Sequence, residues 1–244
     1  MTTKVDLNNN SKKIVEDYVA VEERLDLYIN NEYSFTFFAS PSQKKEMIIG
    51  SLLSEGIIID LNNIIKIELE DNVAKVEIES NSAQDYLRRR SKKKHFKHFA
   101  QSNVPLNESD FSIKAEHLLK LIDKTNKKSK TFKLTGGTHY AALIYEDKLA
   151  SFSEDVGRHN AVDKVIGISA LKGLDFEKAM LISSGRQPAD MVMKAARVGI
   201  PIIASISGPL NSGILTAKKT GLTLVCFARD QKLNVYTCAQ RIIV

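Results

Sequence analysis

Five short segments of the chain concentrate residue types that bind anions: Thr135-Gly136-Gly137-Thr138-His139, Glu154-Asp155-Val156-Gly157-Arg158-His159-Asn160, Ser184-Gly185-Arg186, Ile206-Ser207-Gly208-Pro209 and Ala228-Arg229-Asp230-Gln231-Lys232. Glycine lets a backbone come close to a ligand. Hydroxyls and free N–H groups at helix starts meet phosphate oxygens, and arginine offers a forked cationic donor. Each segment alone reads as ordinary loop punctuation. Three of them, however, directly follow apolar runs of strand character at 179–183, 201–205 and 222–227. A nucleotide or pyrophosphate suits such a set better than an apolar metabolite. His139 and His159 lie in these loops and read as acid–base groups, phosphate donors or structural caps. Neither has the cysteine pair or spaced carboxylate of a zinc site. His95 and His98 read as solvated side chains, and His117, on the polar side of its helix, is assigned no role.

The elements around these loops follow from periodicity. Alternation at Leu25, Leu27 and Ile29, a turn at Asn30-Asn31, then Tyr33, Phe35 and Phe37 predict a β-hairpin. Ser42 is placed to cap a helix with a stripe of Met47, Ile48, Leu52 and Leu53, closed by Gly56. A second hairpin is predicted over 64–69 and 73–78. Ser112 is expected to cap a helix whose apolar face is Ala115, Leu118, Leu119 and Ile122. From Phe132 onward strands and helices alternate: strands 139–145 and 149–153, helix 160–171, strand 179–183, helix 189–198, strand 201–205, helix 212–220, strand 222–227 and strand 233–236. That rhythm predicts an α/β fold with a largely parallel sheet and helices on both faces, binding ligands at the carboxyl ends of its strands.

These patterns divide the 244 residues into an N-terminal α+β part (14–84), a basic loop (85–110) and a C-terminal αβα cofactor-binding domain (111–244). Residues 1–13 carry no periodicity and are expected to be a mobile tail. No run is apolar for long enough to cross a bilayer, and the polar N-terminus lacks a secretion signal's apolar core, so a cytoplasmic address is expected. Two cysteines, Cys226 and Cys238, are too few for a disulfide framework or a thiolate zinc site. The net charge of +6 is concentrated in the run RRRSKKKHFKH at 88–98. Adjacent like charges oppose compact packing, so this run is expected to be mobile and to steer an anionic partner. Nucleic-acid binding is the other use of such a run, but only Phe96 and Phe99 offer stacking there.

The motifs TGGTH (135–139), EDVGRHNAVDK (154–164), SGR (184–186), KAARVGIP (194–201) and TLVCFARDQKLNVY (223–236) resemble, in order and spacing, the FdhD/NarQ family of formate dehydrogenase accessory sulfurtransferases. EERLDLYINN (22–31) and KEMIIGSLLSEGII (45–58) resemble that family's hairpin and following helix. The resemblance implies a cytidine-deaminase-like three-layer αβα sandwich without the deaminase zinc site, and a cytoplasmic homodimer. It implies a bound bis-guanine-dinucleotide molybdenum (or tungsten) cofactor, with a cysteine desulfurase and formate dehydrogenase as partners. The family's cofactor-contact loop Phe-x-Arg-x-x-Arg/Lys falls on Phe227, Ala228, Arg229, Asp230, Gln231 and Lys232. Gly136, Gly137, His139, Arg158, His159, Ser184, Gly185 and Arg186 complete the expected cofactor-binding set. No residue is assigned as catalytic or as a metal ligand.

The chain departs from the family in one respect that touches chemistry. The resemblance implies paired cysteines in the loop before the helix that precedes TGGTH, one of them carrying a persulfide. Here that loop, around 91–110, holds no cysteine. A serine oxygen cannot carry transferable sulfane sulfur, so Ser102 and Ser109 are no substitute. Gln187-Pro188 is a lesser departure, since proline suits a first helical turn. Two functions stay open: sulfur transfer with Cys238 as the remaining carrier, and a chaperone that holds the cofactor without sulfur chemistry.

Overall fold

The computed structural model describes residues 1–79 and 104–244. The basic run at 88–98, and with it the expectation that it is mobile, therefore lies outside the described residues. The chain starts with a hairpin where a mobile tail was expected: β1 (Thr2–Asp6) pairs with β2 (Ser11–Val15), Thr2 opposite Val15. Local turn chemistry supplies the reason, because Asp6 accepts the N–H groups of Asn8 and Asn9 at 3.0 and 3.2 Å.

The next hairpin follows the predicted lines. β3 (Glu23–Ile29) and β4 (Glu32–Ala39) are joined by Asn30 and Asn31, both left-handed, as a tight two-residue turn requires. Helix α1 (Lys44–Ser54) starts one residue later than expected, with Gln43 at φ 59° as its cap in place of Ser42. β5 (Ile64–Glu70) and β6 (Val73–Ile78) complete a four-stranded sheet in the order β4-β3-β6-β5.

Beyond the basic run, the 104–110 portion of the expected mobile loop is tied down. The buried Arg241 guanidinium donates to the carbonyls of Ser109, Asn107 and Gly221, and Asn107 donates to Gly199. Ile113 and Lys114, as β7, pair with the C-terminal β14 (Ile242–Ile243). Helix α2 (Ala115–Lys128) therefore begins after Lys114, and Ser112 does not cap it. A short helix α3 (Lys130–Thr135), absent from the sequence reading, leads into the next sheet.

That sheet comprises β8 (His139–Tyr145), β9 (Lys148–Asp155), β10 (Ala179–Ser183), β11 (Ile202–Ser205), β12 (Thr223–Arg229) and β13 (Lys232–Val235), in the order β13-β12-β11-β10-β8-β9. Only the β10–β11 and β11–β12 pairings are parallel. The expectation of a largely parallel sheet is thus corrected. Tight hairpins at both flanks, turning at Glu146-Asp147 and Asp230-Gln231 with positive φ, force antiparallel neighbours there. Between the strands run α4 (Arg158–Leu171), α5 (Ala189–Arg197) and α6 (Asn211–Thr220).

Side chains alternate across the sheet. Leu143, Leu181, Ile203 and Leu224 face a core shared with α4, α5 and α6, while Ile144, Ile182, Ile202 and Val225 face α2. The result is three layers. Helix α1 belongs to the first core as well, lying between the N-terminal sheet and α4, so Met47–Ser54 are buried all round and no single stripe exists. Gly50 and Gly167 permit this crossing. A Cβ on Gly50 would lie 1.8 Å from the Asp163 carbonyl oxygen, and one on Gly167 would lie 1.9 Å from that of Glu46. The two parts drawn from sequence thus share one core. Among the described residues no helix is long and apolar enough to cross a membrane.

Candidate functional site

Strand direction brings the five loops together. β8 runs antiparallel to β10, so its first residue, His139, lies at the same sheet edge as the last residues of β10, and β9 ends there with Asp155 opposite His139. The parallel strands β11 and β12 also finish on this edge. Four of the loops surround the ends of neighbouring strands, and the fifth begins as β12 leaves its register.

Hydroxyl groups fix the central loop. Ser184 Oγ accepts the Tyr140 N–H at 3.0 Å and lies 3.2 Å from His139 Nδ1. The Ser184 hydroxyl can donate to Nδ1 or accept from it through its second lone pair, so this contact holds the ring in place in either tautomer. Ser205 Oγ and Gln187 Nε2 both donate to the Gly185 carbonyl at 2.8 Å, and Ser207 Oγ donates to that of Ser184. The Arg158 side chain lies across Gly185, where a Cβ would sit 2.9 Å from Arg158 Cβ. Arg158 Nε is buried and, among the described residues, has no hydrogen-bond partner. In a region closed to water, an unpaired guanidinium N–H is costly unless an anion meets it.

Positive charge predominates around His139. Half-burial pushes the His139 imidazole below its ordinary value of 6.5, and the nearby Arg158, His159 and Arg186 push the same way against Asp155 alone. The free protein therefore presents His139 as a neutral imidazole. His139 is expected to titrate below 6.5 by NMR and to move upward when pyrophosphate binds. The sign for stability follows: the unfolded chain binds this proton more readily, so stability rises with pH between the depressed folded value and 6.5. Titration of His139 at or above 6.5 in the free protein would refute this picture of the edge.

Phe227 stands out in the fifth loop. It is 42% exposed and adopts φ 52°, a costly conformation for an aromatic residue, within a bulge between Cys226 and Arg229. Its ring lies against Gly208, where a Cβ would meet Phe227 Cζ at 2.8 Å. Ala228 needs correction as a contact residue, because its side chain is fully buried in the core beneath α2 and only its backbone can serve a ligand. Arg229, Asp230, Gln231 and Lys232 are exposed, with Asp230 and Gln231 forming the turn. Gly136 and Gly137 are exposed beside His139.

Much of the segment 154–164 builds the scaffold instead of meeting ligand. Asp155 is fully buried, pairs with Lys164 at 2.6 Å, and accepts from Ser40 N–H, Gly157 N–H and Asn160 Nδ2. Glu154 accepts the N–H groups of Thr131 and Phe132 and so anchors α3. Asp163 takes Lys194 on both oxygens, at 2.9 and 3.0 Å, and Ser54 at 2.7 Å. Burial pushes the Lys194 ammonium down, but Asp163 and Glu55 outweigh it and hold it above the ordinary range. Only Arg158 and His159 turn to the edge, His159 Nε2 bonding Asp190 at 2.9 Å. The sequence reading missed Asp155, Asp163, Lys164 and Lys194. The available signal was a charged pair, Asp163-Lys164, inside an otherwise apolar helix.

The model of the FdhD/NarQ family matches residues 20–243, nearly the whole chain. The chain belongs to the FdhD/NarQ family. It is 36% identical over 237 residues to the sulfur carrier protein FdhD of Methanothermobacter thermautotrophicus, covering 96% of this chain and 95% of the relative. The sulfur carrier protein FdhD of Bacillus subtilis is 32% identical over 241 residues, with 93% and 91% covered. The crystal structure of a protein assigned as a formate dehydrogenase accessory protein from Desulfotalea psychrophila superposes with a TM-score of 0.83. It is 26% identical and matches 99% of this chain and 97% of its own.

Cys226 is fully buried and its thiol is pushed up to about 12 by that burial, so it holds almost no thiolate at neutral pH. Cys238 is partly buried, and its carbonyl accepts the Thr223 hydroxyl at 2.8 Å. Thr223 opens β12, whereas the FdhD/NarQ loops cluster where β12 ends. Cys238 therefore sits at the opposite edge of the sheet, and the sequence-based choice of it as nearest the site is corrected.

Proposed function

We propose that this protein is an accessory factor of formate dehydrogenase maturation that holds a bis-guanine-dinucleotide molybdenum or tungsten cofactor over the cationic sheet edge. The observation that carries the reading is the buried, unpartnered Arg158 Nε set among His139, His159 and Arg186. Such a set fits a pyrophosphate: Arg158 and Arg186 would take its oxygens, with the His139 ring beside them. Phe227 offers an exposed aromatic face for a base. The cofactor, when bound, supplies the metal and dithiolene chemistry, while these residues orient it and limit water.

Of the two functions left open, the chaperone is favoured. The chain has two cysteines, one inert by burial and one on the far edge, and persulfide relay needs a thiolate beside its acceptor. The name of the relatives, sulfur carrier, keeps sulfur transfer from a cysteine desulfurase as the second reading. The three-layer arrangement supports the cytidine-deaminase-like assignment, and the family resemblance supports a cytoplasmic homodimer with formate dehydrogenase as client.

Calorimetric titration with GDP tests the site. Arg229→Ala should weaken GDP binding by about 1.5 kcal/mol, the lower range of a charge-assisted hydrogen bond, because this side chain is largely exposed. Undetectable GDP binding to the wild-type protein would sink the reading. The sulfur question is settled separately by mass spectrometry after incubation with a cysteine desulfurase and labelled cysteine. No labelled persulfide is expected on either cysteine; label on Cys238 would favour the sulfur-transfer reading.

A further inference from the structure

Helices α2 and α3 carry a cationic ridge that the nucleotide loops do not use. Between positions 124 and 133 the chain has Lys124, Lys127, Lys128, Lys130 and Lys133 and no carboxylate. All five are exposed, while α2 turns Leu118, Leu121, Ile122 and Thr125 to the core. Three of them have local contacts. Lys127 pairs with Asp123 at 2.6 Å, Lys128 lies over the Phe152 ring at 5.6 Å, and Lys133 Nζ donates to the Lys127 carbonyl at 3.3 Å. That last bond draws the face of α3 up to the end of α2. Helix C-termini attract cations, which accounts for Lys127 and Lys128 without any partner. It does not account for Lys124 and Lys130, and no carboxylate among the described residues pairs with either. Leu134 sits among these lysines and is 58% exposed. Lys130, Lys133 and Leu134 share one face of α3, because side chains three and four positions apart are neighbours on a helix. That face is held firmly. Glu154 accepts the N–H groups of Thr131 and Phe132, and the Phe132 ring packs edge to face on Tyr140 at 5.5 Å. Thr135 ends α3 and Gly136 follows, so the ridge runs directly into the loop edge.

We propose that this ridge docks an acidic protein face carrying an apolar recess, and that this face belongs to the client enzyme that takes over the cofactor. Leu134 would enter the recess while the lysines around it meet carboxylates, an apolar centre inside a charged rim. Such a rim speeds encounter more than it tightens the complex. A nucleic acid suits the ridge less well. Phe132 and Phe152 are half-buried against Tyr140, so neither is free to stack on a base. An exposed leucine, in turn, offers phosphates nothing. A partner seated on the ridge would stand beside Gly136, Gly137 and His139, where a cofactor held at the edge has to leave. The identity of the client rests on the accessory-factor reading; the chemistry of the surface does not.

The test is association of the full chain with the apo catalytic subunit of formate dehydrogenase, followed by biosensor kinetics at low and high salt. The triple variant Lys124→Gln, Lys130→Gln, Lys133→Gln keeps residues that helices accept as readily as lysine. It should associate about tenfold more slowly at low salt, with a flatter salt dependence. Leu134→Ala should speed dissociation about fivefold and leave association nearly unchanged. A control with the same net charge, Lys4→Gln, Lys75→Gln, Lys218→Gln, alters exposed lysines elsewhere and should associate like the wild type. Equal association by the wild type and the ridge variant would overturn the proposal. So would equal slowing by the control, which would make net charge the cause. Absence of association between the wild type and micromolar enzyme overturns it too, as does ridge-dependent binding of a single-stranded RNA in place of the enzyme. GDP titration keeps the two readings apart. A chain that docks the enzyme through the ridge but binds no GDP upholds the ridge and counts against the loop edge. A ridge variant that loses GDP affinity puts these lysines in the nucleotide site and overturns the proposal.

Discussion

Replacing Asp163 with alanine is expected to lower the stability of this protein by about 3–5 kcal/mol, the cost of breaking a buried ion pair. Lys194 is 3% exposed and Asp163 only 2%. Asp163 supplies two of the four acceptors around the ammonium, the others being Ser54 Oγ and Glu55. With the carboxylate gone, a cation remains in the core with a single half-buried counter-charge. The Ser54 hydroxyl loses its acceptor at the same time. These residues join α1, α4 and α5, so the loss is felt where the N-terminal part meets the six-stranded sheet. Urea denaturation should show the change as a lower midpoint with an unchanged slope. The double variant Asp163→Leu with Lys194→Met should recover most of the loss, because removing both charges leaves no orphan. A single-variant loss below about 1 kcal/mol, within the range of a surface pair, would mean that water reaches the cluster.

Arg158→Ala is expected to weaken pyrophosphate and GDP binding by about 3 kcal/mol, or roughly 150-fold, the upper end for a charge-assisted hydrogen bond. The upper end applies because its Nε is already stripped of water in the free protein. The desolvation cost is thus borne on folding and is not charged again on binding. Arg158→Lys should restore little, since an ammonium has no Nε to place at this point and cannot form the fork. His139 should titrate closer to its ordinary value in Arg158→Ala, because one of the charges that depress it is removed. Affinity within threefold of wild type for both ligands would move the anion site away from this edge. The two arginine variants also rank each other: Arg158→Ala must cost more than Arg229→Ala, whose side chain is 65% exposed.

The hairpin turns were legible because they are written in two residues. Asn30-Asn31 and Glu146-Asp147 adopt left-handed backbone as tight turns demand, and the strands flanking them lie where alternation put them. The N-terminal hairpin escaped notice because its signal was a side-chain turn at Asp6 and not apolar alternation. Caps were misread at Ser42 and Ser112 for a similar reason: a strained Gln43 and a strand pairing at Ile113 set the helix starts instead. Ala228 looked like a loop residue in the motif, but the strand continues through it and alternation turns its methyl into the core.

By itself the sequence determined the loop chemistries, the order of strands and helices along the chain, and the presence of only two cysteines. Those properties depend on residue type and near neighbours, which the chain carries without folding. Tertiary structure alone decided that β8 runs against β10, which sets His139 beside Ser184, 45 residues away. It also decided that Asp155 and Asp163 are buried anchors and not ligands, and that Cys238 lies at the wrong end of β12. Strand direction and burial depend on what packs against a segment from elsewhere in the chain, and no local spacing records that.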